Sequence, residues 1–174
     1  DVRGKLSMGV LGKHLLNCAD AYAAERGFDV VEQGGEHYTW VLSRLAIELE
    51  DLPSCHESFS IQTWVENVYR LFADRNFVIC NKDEKPIGYV RSVWAMISME
   101  TRNPVNLLDL HGDRITNSIC EKECPIAKPG RIKVSQQEAV SEYVAKYSDL
   151  DINGHVNSIK YIEHILDIFP LETY

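Results

Sequence analysis

Apolar side chains recur at helical spacing near the start of the chain. They are separated by intervals of three and four residues, which places them on one face of a helix. The positions that share this spacing are Met8, Leu11, Leu15, Cys18 and Tyr22. Ser7 is a suitable N-cap and Gly27 a suitable C-terminal stop. The pattern predicts a core helix of about five turns.

The apolar period changes to two after a polar stretch, 32–37, which we interpret as a loop. Apolar residues of the first predicted strand are expected on one face, and charged residues on the other. The apolar set is Val41, Leu45, Ile47 and Leu49, and the charged set is Arg44, Glu48 and Glu50. Further alternating runs occupy 59–69, 77–80 and 87–99, the last two joined by a polar turn at 81–86. The first hundred residues therefore predict an α+β arrangement of one helix and four antiparallel strands.

The pattern breaks between residues 101 and 133, where proline and glycine recur and only 105–110 has a short helical pattern. We interpret this stretch as a connection between two units. A strand is predicted at 139–147, followed by a polar turn at 148–154. A second helical stripe then consists of His155, Ile159, Ile162, Leu166 and Phe169. The expected organisation is an N-terminal unit at 1–112, a linker at 113–133 and the start of a second unit at 134–174.

Charge and hydropathy exclude some classes of function. The net charge is -8, and no run of lysine or arginine is long enough for a nucleic-acid footprint. No apolar run approaches the roughly 18 residues that a membrane helix needs, and the first residues lack a signal-peptide pattern. We therefore expect a cytoplasmic protein that binds neither nucleic acid nor membrane. The five cysteines are expected to be reduced. A zinc site is not expected at Cys120 and Cys124, because no second pair of Cys or His at ligand spacing completes four ligands.

The segment 149–157 has the highest density of chemically active side chains. We expect His155 one or two residues inside the second helix, facing the interior, with Asp151 and Asn153 fixing its tautomer or holding an attacking water. The unpaired N–H groups of the first helical turn suit the binding of an oxyanion. The alternative is that Asp151 or Asn153 only caps the helix and His155 is a core residue.

Three further reactive side chains are interpreted without a catalytic role. Cys18 lies within an apolar stripe and has no evident base in its own segment, so we expect it to serve packing. Glu163 and His164 fall off the second stripe and are predicted to form a solvated helix face.

Five separated segments of the chain form a pattern with a fixed order. The most specific is 147–162, which contains Asp-Ile-Asn-Gly-His-Val-Asn from Asp151. The others, all earlier in the chain, are 40–44, 63–65, 91–96 and 101–102. In their residues and their order, these segments resemble the acyl-acyl carrier protein (ACP) thioesterases of plants and bacteria. The resemblance implies tandem hotdog units, each a long helix wrapped by a curved antiparallel sheet, with the second unit incomplete in these 174 residues. The first unit is expected to bind the acyl chain and the second to hydrolyse its thioester.

The resemblance also implies roles for individual residues. Asp151, Asn153 and His155 match the catalytic motif, although Gly154 stands where plant members often have glutamine. The family's catalytic acid lies on a strand beyond the second helix. We therefore expect the protein to continue past Tyr174 and to supply that acid there. No metal or organic cofactor is implied.

Substrate contacts are expected in the first unit and in the linker. Candidate positions along the acyl chain are Met8, Leu11, Leu15 and Trp40, which packing against the sheet explains equally well. An acidic carrier protein needs a local cluster of cations, and the densest is Lys128, Arg131 and Lys133. The alternatives left open are a thioesterase acting on acyl-CoA and a module that binds acyl chains without cleaving them. Whether the protein forms a homodimer is also left open.

Overall fold

The computed structural model describes residues 1, 3–29, 31–133, 141–151 and 154–173. The first unit is a helix followed by a sheet, and shorter helices come after it. In chain order the elements are α1 Met8–Glu25, β1 Val31–Gln33, β2 Glu36–Leu49, β3 Phe59–Val68, β4 Ala73–Asn81, β5 Pro86–Ser98, α2 Leu107–His111, α3 Asp113–Thr116 and α4 Ser158–Leu166, with single 3-10 turns at Tyr147–Asp149 and Leu171–Thr173. None of the helices in these described ranges is long and apolar enough to span a bilayer.

The predicted first helix is confirmed with its caps. The Ser7 hydroxyl accepts a hydrogen bond from the Val10 N–H, which satisfies one of the free donors at the start of α1. The chain leaves α1 through Gly27, whose φ of +68° is easily adopted only without a side chain. Leu11 and Leu15 of the predicted stripe are fully buried between α1 and the sheet.

The sheet has five antiparallel strands in the order β1-β2-β5-β4-β3. Strands β2 to β5 confirm the four that the alternating pattern predicts. An additional strand, β1, overlaps the stretch 32–37. The interpretation of that stretch as a loop was therefore wrong. There Gln33 pairs with Glu36 across Gly34 and Gly35, whose φ angles are both positive. A two-residue Gly-Gly turn of this kind favours a tight hairpin.

The predicted faces of β2 are wrong at one end, because the pairing of β2 with β5 shifts register between Leu42 and Arg44. Trp40, before the shift, lies on the same face of the sheet as Leu45, after it, because their partners on β5, Met96 and Ser92, are four residues apart. The extra residue of a bulge reverses the alternation, so Val41 lies on the opposite face from Leu45.

The stretch 101–133 is packed against the first unit along much of its length. The short helices α2 and α3 close one end of the core with Leu107 and Ile115, which are completely buried. Further along, the chain crosses the face of the sheet remote from α1. There the Trp64 indole N–H donates to the Lys122 carbonyl and Arg91 donates to the Cys124 carbonyl.

The second half differs from the prediction in two ways. The described residues 141–146 of the predicted strand 139–147 contain no strand, and 147–149 form a 3-10 turn. Helix α4 begins at Ser158, three residues beyond His155, because the Asn157 side chain caps it by accepting from the Ile159 N–H. His155 therefore lies before the helix, not inside it, and Phe169 lies beyond its end.

Helix α4 packs directly against α1. The contact is close because glycines face α4 at Gly9 and Gly12, where a β-carbon would overlap Glu163 and Ile159 respectively. Of the second predicted stripe, Ile159 is buried, whereas Phe169 is half exposed. This packing brings the segment before α4 to the same side of the first unit as α1.

Candidate active site

Asp151 and His155 face each other across a tight turn. The Asp151 N–H donates to the His155 carbonyl at 2.8 Å, and the His155 N–H donates back to the Asp151 carboxylate at 3.0 Å. Leu150 and Val156 form an antiparallel bridge just outside this pair, and Gly154 in the turn has a φ of +74°. The structure thus brings two of the three predicted catalytic residues together. The third, Asn153, lies outside the described residues.

Asp149 anchors this turn to the residues that precede it. Its carboxylate is 2% exposed and accepts from the Lys146 N–H and the Tyr143 hydroxyl, at 2.8 and 2.9 Å. These donors, the Lys146 N–H first, lower the pKa of Asp149 although its desolvation acts in the opposite direction. Its backbone carbonyl accepts from the Asn157 N–H, which ties the start of α4 to the turn.

The predicted solvated face of α4 is wrong for both of its residues. His164 places Nε2 3.3 Å from the Asp149 carboxylate and packs its ring on Tyr143. Glu163 lies against Gly9 of α1 and pairs with Lys160. Both side chains are half buried because α4 contacts other elements on more than its apolar stripe. Sequence spacing did not indicate the pairing of Asp149 with His164, since Asp149 lies in a 3-10 turn and their shared neighbour Tyr143 lies outside any regular element.

A groove of about 550 Å³ opens beside the turn. Asp151 and His155 line it together with Trp40 and Trp94 from the sheet. Helix α1 contributes residues spaced by about one turn, including Leu16, Asp20 and Ala24. Asn157 and Ser158, at the start of α4, also line it, so the N-terminus of that helix borders the same space.

A smaller, mainly apolar pocket adjoins the groove and shares Asp20, Ala23, Trp40 and Trp94 with it. Arg75, which is almost completely buried, also lines this pocket. Burial lowers the pKa of its guanidinium to about 10, and the guanidinium packs 4.6 Å from the centre of the Tyr22 ring. The pocket and the groove therefore share four lining residues, and Asp151 and His155 line the groove alone.

The predicted acyl-lining residues fall into two groups. Trp40 lines both spaces, and its indole N–H is held by the Phe28 carbonyl. Met8, Leu11 and Leu15 instead belong to the cluster between α1 and the sheet. The groove is lined by the adjacent face of α1, which the spacing of Leu16, Asp20 and Ala24 could have indicated. Cys18 is half buried against the same cluster, as the packing interpretation expects.

The predicted docking cations are not equivalent in the structure. Lys128 forms ion pairs with Glu66 and Asp74, at 3.2 and 3.1 Å, on the face of the sheet remote from α1. Arg131 and Lys133 are exposed.

Within the part of the chain that the structure describes, no group of three or more His, Cys, Asp or Glu side chains could hold a metal ion.

Comparison with known proteins gives matches along most of the chain. Residues 1–112 match the acyl-ACP thioesterase N-terminal domain family, and residues 132–174 match the corresponding C-terminal domain family. The chain is 61% identical to an acyl-ACP thioesterase from Bacteroides thetaiotaomicron, with a TM-score of 0.88 over 99% of this chain and 69% of that one.

More distant relatives agree with this match. A 12:0-ACP thioesterase from Umbellularia californica shares the fold, with a TM-score of 0.75 at 18% identity over 97% of this chain and 69% of that one. Its fold and that of the Bacteroides protein confirm the predicted α+β hotdog architecture. An oleoyl-acyl carrier protein thioesterase from Arabidopsis thaliana is 30% identical over 78% of this chain and 40% of its own length. The chain thus spans about a third to two fifths of the length of the curated relatives that it matches.

Proposed function

This chain belongs to the acyl-ACP thioesterase family, and on that premise we propose that the protein hydrolyses the thioester between a fatty acyl chain and its carrier protein. The products are a free fatty acid and the carrier with its thiol restored. The observation that carries the proposal is the position of Asp151 and His155, which are joined across a turn and border an apolar groove. A thioester seated there has its alkyl chain among aromatic and aliphatic side chains and its carbonyl beside polar groups.

The chemistry proposed for this site is attack of water on the thioester carbonyl. His155 and Asn153 orient the water and the carbonyl, and Asp151 supports them electrostatically. The N-terminus of α4 borders the groove at Asn157 and Ser158, and its N–H groups favour the negative charge of the tetrahedral intermediate. The carboxylate that the family resemblance implies accepts one proton of the attacking water, the carbon–sulfur bond breaks as the tetrahedral intermediate collapses, and the thiolate of the carrier leaves and takes up that proton.

The roles proposed for the two units follow the two family matches. Residues 1–112 supply the sheet, α1 and most of the groove lining, which supports a role in binding the acyl chain. The second unit, proposed at 134–174 after a linker at 113–133, supplies the catalytic turn. The cytoplasmic location and the absence of nucleic-acid and membrane partners stay predictions from the sequence, and the oligomeric state stays open.

Thiol release by the complete gene product tests the proposal. Acyl-ACP and acyl-CoA substrates of matched chain length are compared, together with binding of acyl-ACP at equilibrium. We expect kcat/KM to be higher for acyl-ACP. Preference for acyl-CoA would instead establish the acyl-CoA thioesterase, and binding without thiol release would establish a non-catalytic acyl-binding protein.

A further inference from the structure

Arg102 reaches the catalytic turn from the first unit. Its guanidinium nitrogen Nη1 lies 2.6 Å from Nε2 of His155, 53 positions away in the sequence. A guanidinium can only donate hydrogen bonds, so Nε2 of His155 must accept. An imidazole that accepts at Nε2 is neutral and carries its proton on Nδ1. The contact therefore specifies both the charge and the tautomer of the ring.

The backbone places Arg102 in an uncommon conformation to make this contact. Its φ is +60°, a left-handed value that side chains other than glycine adopt at some energetic cost. The turn is held by the Arg102 N–H donating to the Ser98 carbonyl at 2.9 Å and by the Thr101 N–H donating to the Ser98 hydroxyl at 3.1 Å. Ser98 is buried at the end of β5, so this conformation is built on the end of the central strand of the sheet.

We propose that Arg102 is a positioning residue, which holds the His155 ring neutral with its proton on Nδ1 and fixes its orientation at the edge of the groove. The Nδ1–H is then the donor that the ring can offer to a carbonyl oxygen or a water. The consequence for catalysis rests on the proposed thioester hydrolysis, whereas the effect on the tautomer does not. The first unit thus contributes to the chemistry of the turn and not only to binding of the acyl chain.

The test compares Arg102→Gly and Arg102→Lys with the wild type in the complete gene product. Glycine removes the guanidinium and adopts a positive φ freely, so the turn is expected to persist. Lysine retains a positively charged hydrogen-bond donor group but lacks the planar guanidinium. The matched control is Arg70→Ala, which removes an exposed arginine from the β3–β4 connection. Nitrogen-15 NMR of labelled histidine, assigned with His155→Ala, reports the tautomer of His155 directly.

We expect the wild type and Arg70→Ala to show His155 protonated on Nδ1, and Arg102→Gly to shift the ring toward the Nε2-protonated form. Turnover by Arg102→Gly should fall by about 10- to 100-fold while KM changes by less than about 2-fold, because a misaligned group loses transition-state geometry and not affinity. Arg102→Lys should recover part of the loss. A folded Arg102→Gly protein with an unchanged tautomer would overturn the inference. A tautomer shift in a protein that hydrolyses no acyl-ACP would support the positioning role and overturn the proposed function.

Discussion

His111 is a buried ionisable ring close to the groove. It is 3% exposed, its ring stacks on Trp40, and its Nδ1 has no hydrogen-bond partner within the described residues. Burial, with a smaller effect of Arg114, lowers its pKa from 6.5 to about 4. The ring is therefore neutral in the folded protein at pH values where the unfolded chain already protonates it.

This difference predicts a pH dependence of stability. Between pH 6.5 and about 4 the unfolded state binds more protons at His111, so the free energy of unfolding falls as the pH is lowered through this window. His111→Phe should keep the stacking on Trp40. It should also remove the contribution of about one bound proton to the pH dependence of the free energy of unfolding. Urea unfolding at a series of pH values measures it, with the exposed His37→Phe as control. Equal slopes for the two variants would show that His111 does not titrate in this way.

At the scale of the elements, the packing of α4 on α1 depends on two glycines with different neighbours. A β-carbon at Gly12 would meet Ile159 at 2.6 Å, and Ile159 is buried and unable to move away easily. A β-carbon at Gly9 would meet the end of the Glu163 side chain, which is flexible. Glycine in a helix costs about 1 kcal/mol relative to alanine, so replacing it is favourable where space exists.

The two alanine substitutions are therefore expected to act in opposite directions. Gly12→Ala should destabilise the protein by about 1–3 kcal/mol because it forces α4 away from α1. Gly9→Ala should be neutral or stabilising by up to about 1 kcal/mol, since only the Lys160–Glu163 pair has to rearrange. Chemical unfolding of both variants measures the difference. Adding Ile159→Val to Gly12→Ala should recover part of the loss, and equal effects at the two glycines would contradict this packing of α4 on α1.

The elements that the sequence pattern predicted correctly are those with a long apolar repeat. Helix α1 and the strands β3 and β5 have such patterns over ten or more residues. The bulge near Ser43 leaves no trace in composition, because it depends on how β2 pairs with β5. The start of α4 was misplaced since Asp151, Asn153 and Asn157 are all suitable caps, and only tertiary contacts decide among them.

At the scale of the whole molecule, the candidate active site could also be predicted from the sequence only in part, because some of its contacts join distant segments. The motif around Asp151 and His155 was recognisable from the sequence, and the structure places both on the groove. Arg102 and Asp149 touch the turn through contacts that sequence spacing does not encode. Leu11 and Leu15 were chosen from the most apolar face of α1, whereas the groove uses the neighbouring face, which is less apolar.

The proposed docking of an acidic carrier protein depends on charges over the whole surface. With a net charge of -8, the protein is expected to repel an acidic carrier except where cations cluster. Arg131→Glu with Lys133→Glu should raise KM for acyl-ACP by about 10-fold and leave hydrolysis of small acyl thioesters unchanged. Lys128→Glu is not part of this charge reversal, because Lys128 also forms ion pairs with Glu66 and Asp74 on the face of the sheet remote from α1.

The matched control for this charge reversal is Lys82→Glu with Lys85→Glu, on the exposed turn between β4 and β5. It changes the net charge by the same amount at another place, so it separates local docking from general repulsion. An equal rise in KM for both double variants would assign the effect to net charge. A loss of activity on small thioesters would assign the 131–133 cluster to the fold.

The central claim is that the turn before α4 performs thioester hydrolysis, and replacement of His155 tests it most directly. His155 precedes the helix and its backbone bonds to Asp151 do not need the imidazole, so His155→Ala should stay folded. In the complete gene product we expect kcat for acyl-ACP to fall by a factor on the order of 100 or more, with the exposed His37→Ala as control. A folded His155→Ala protein that releases fatty acid at the wild-type rate would contradict the account.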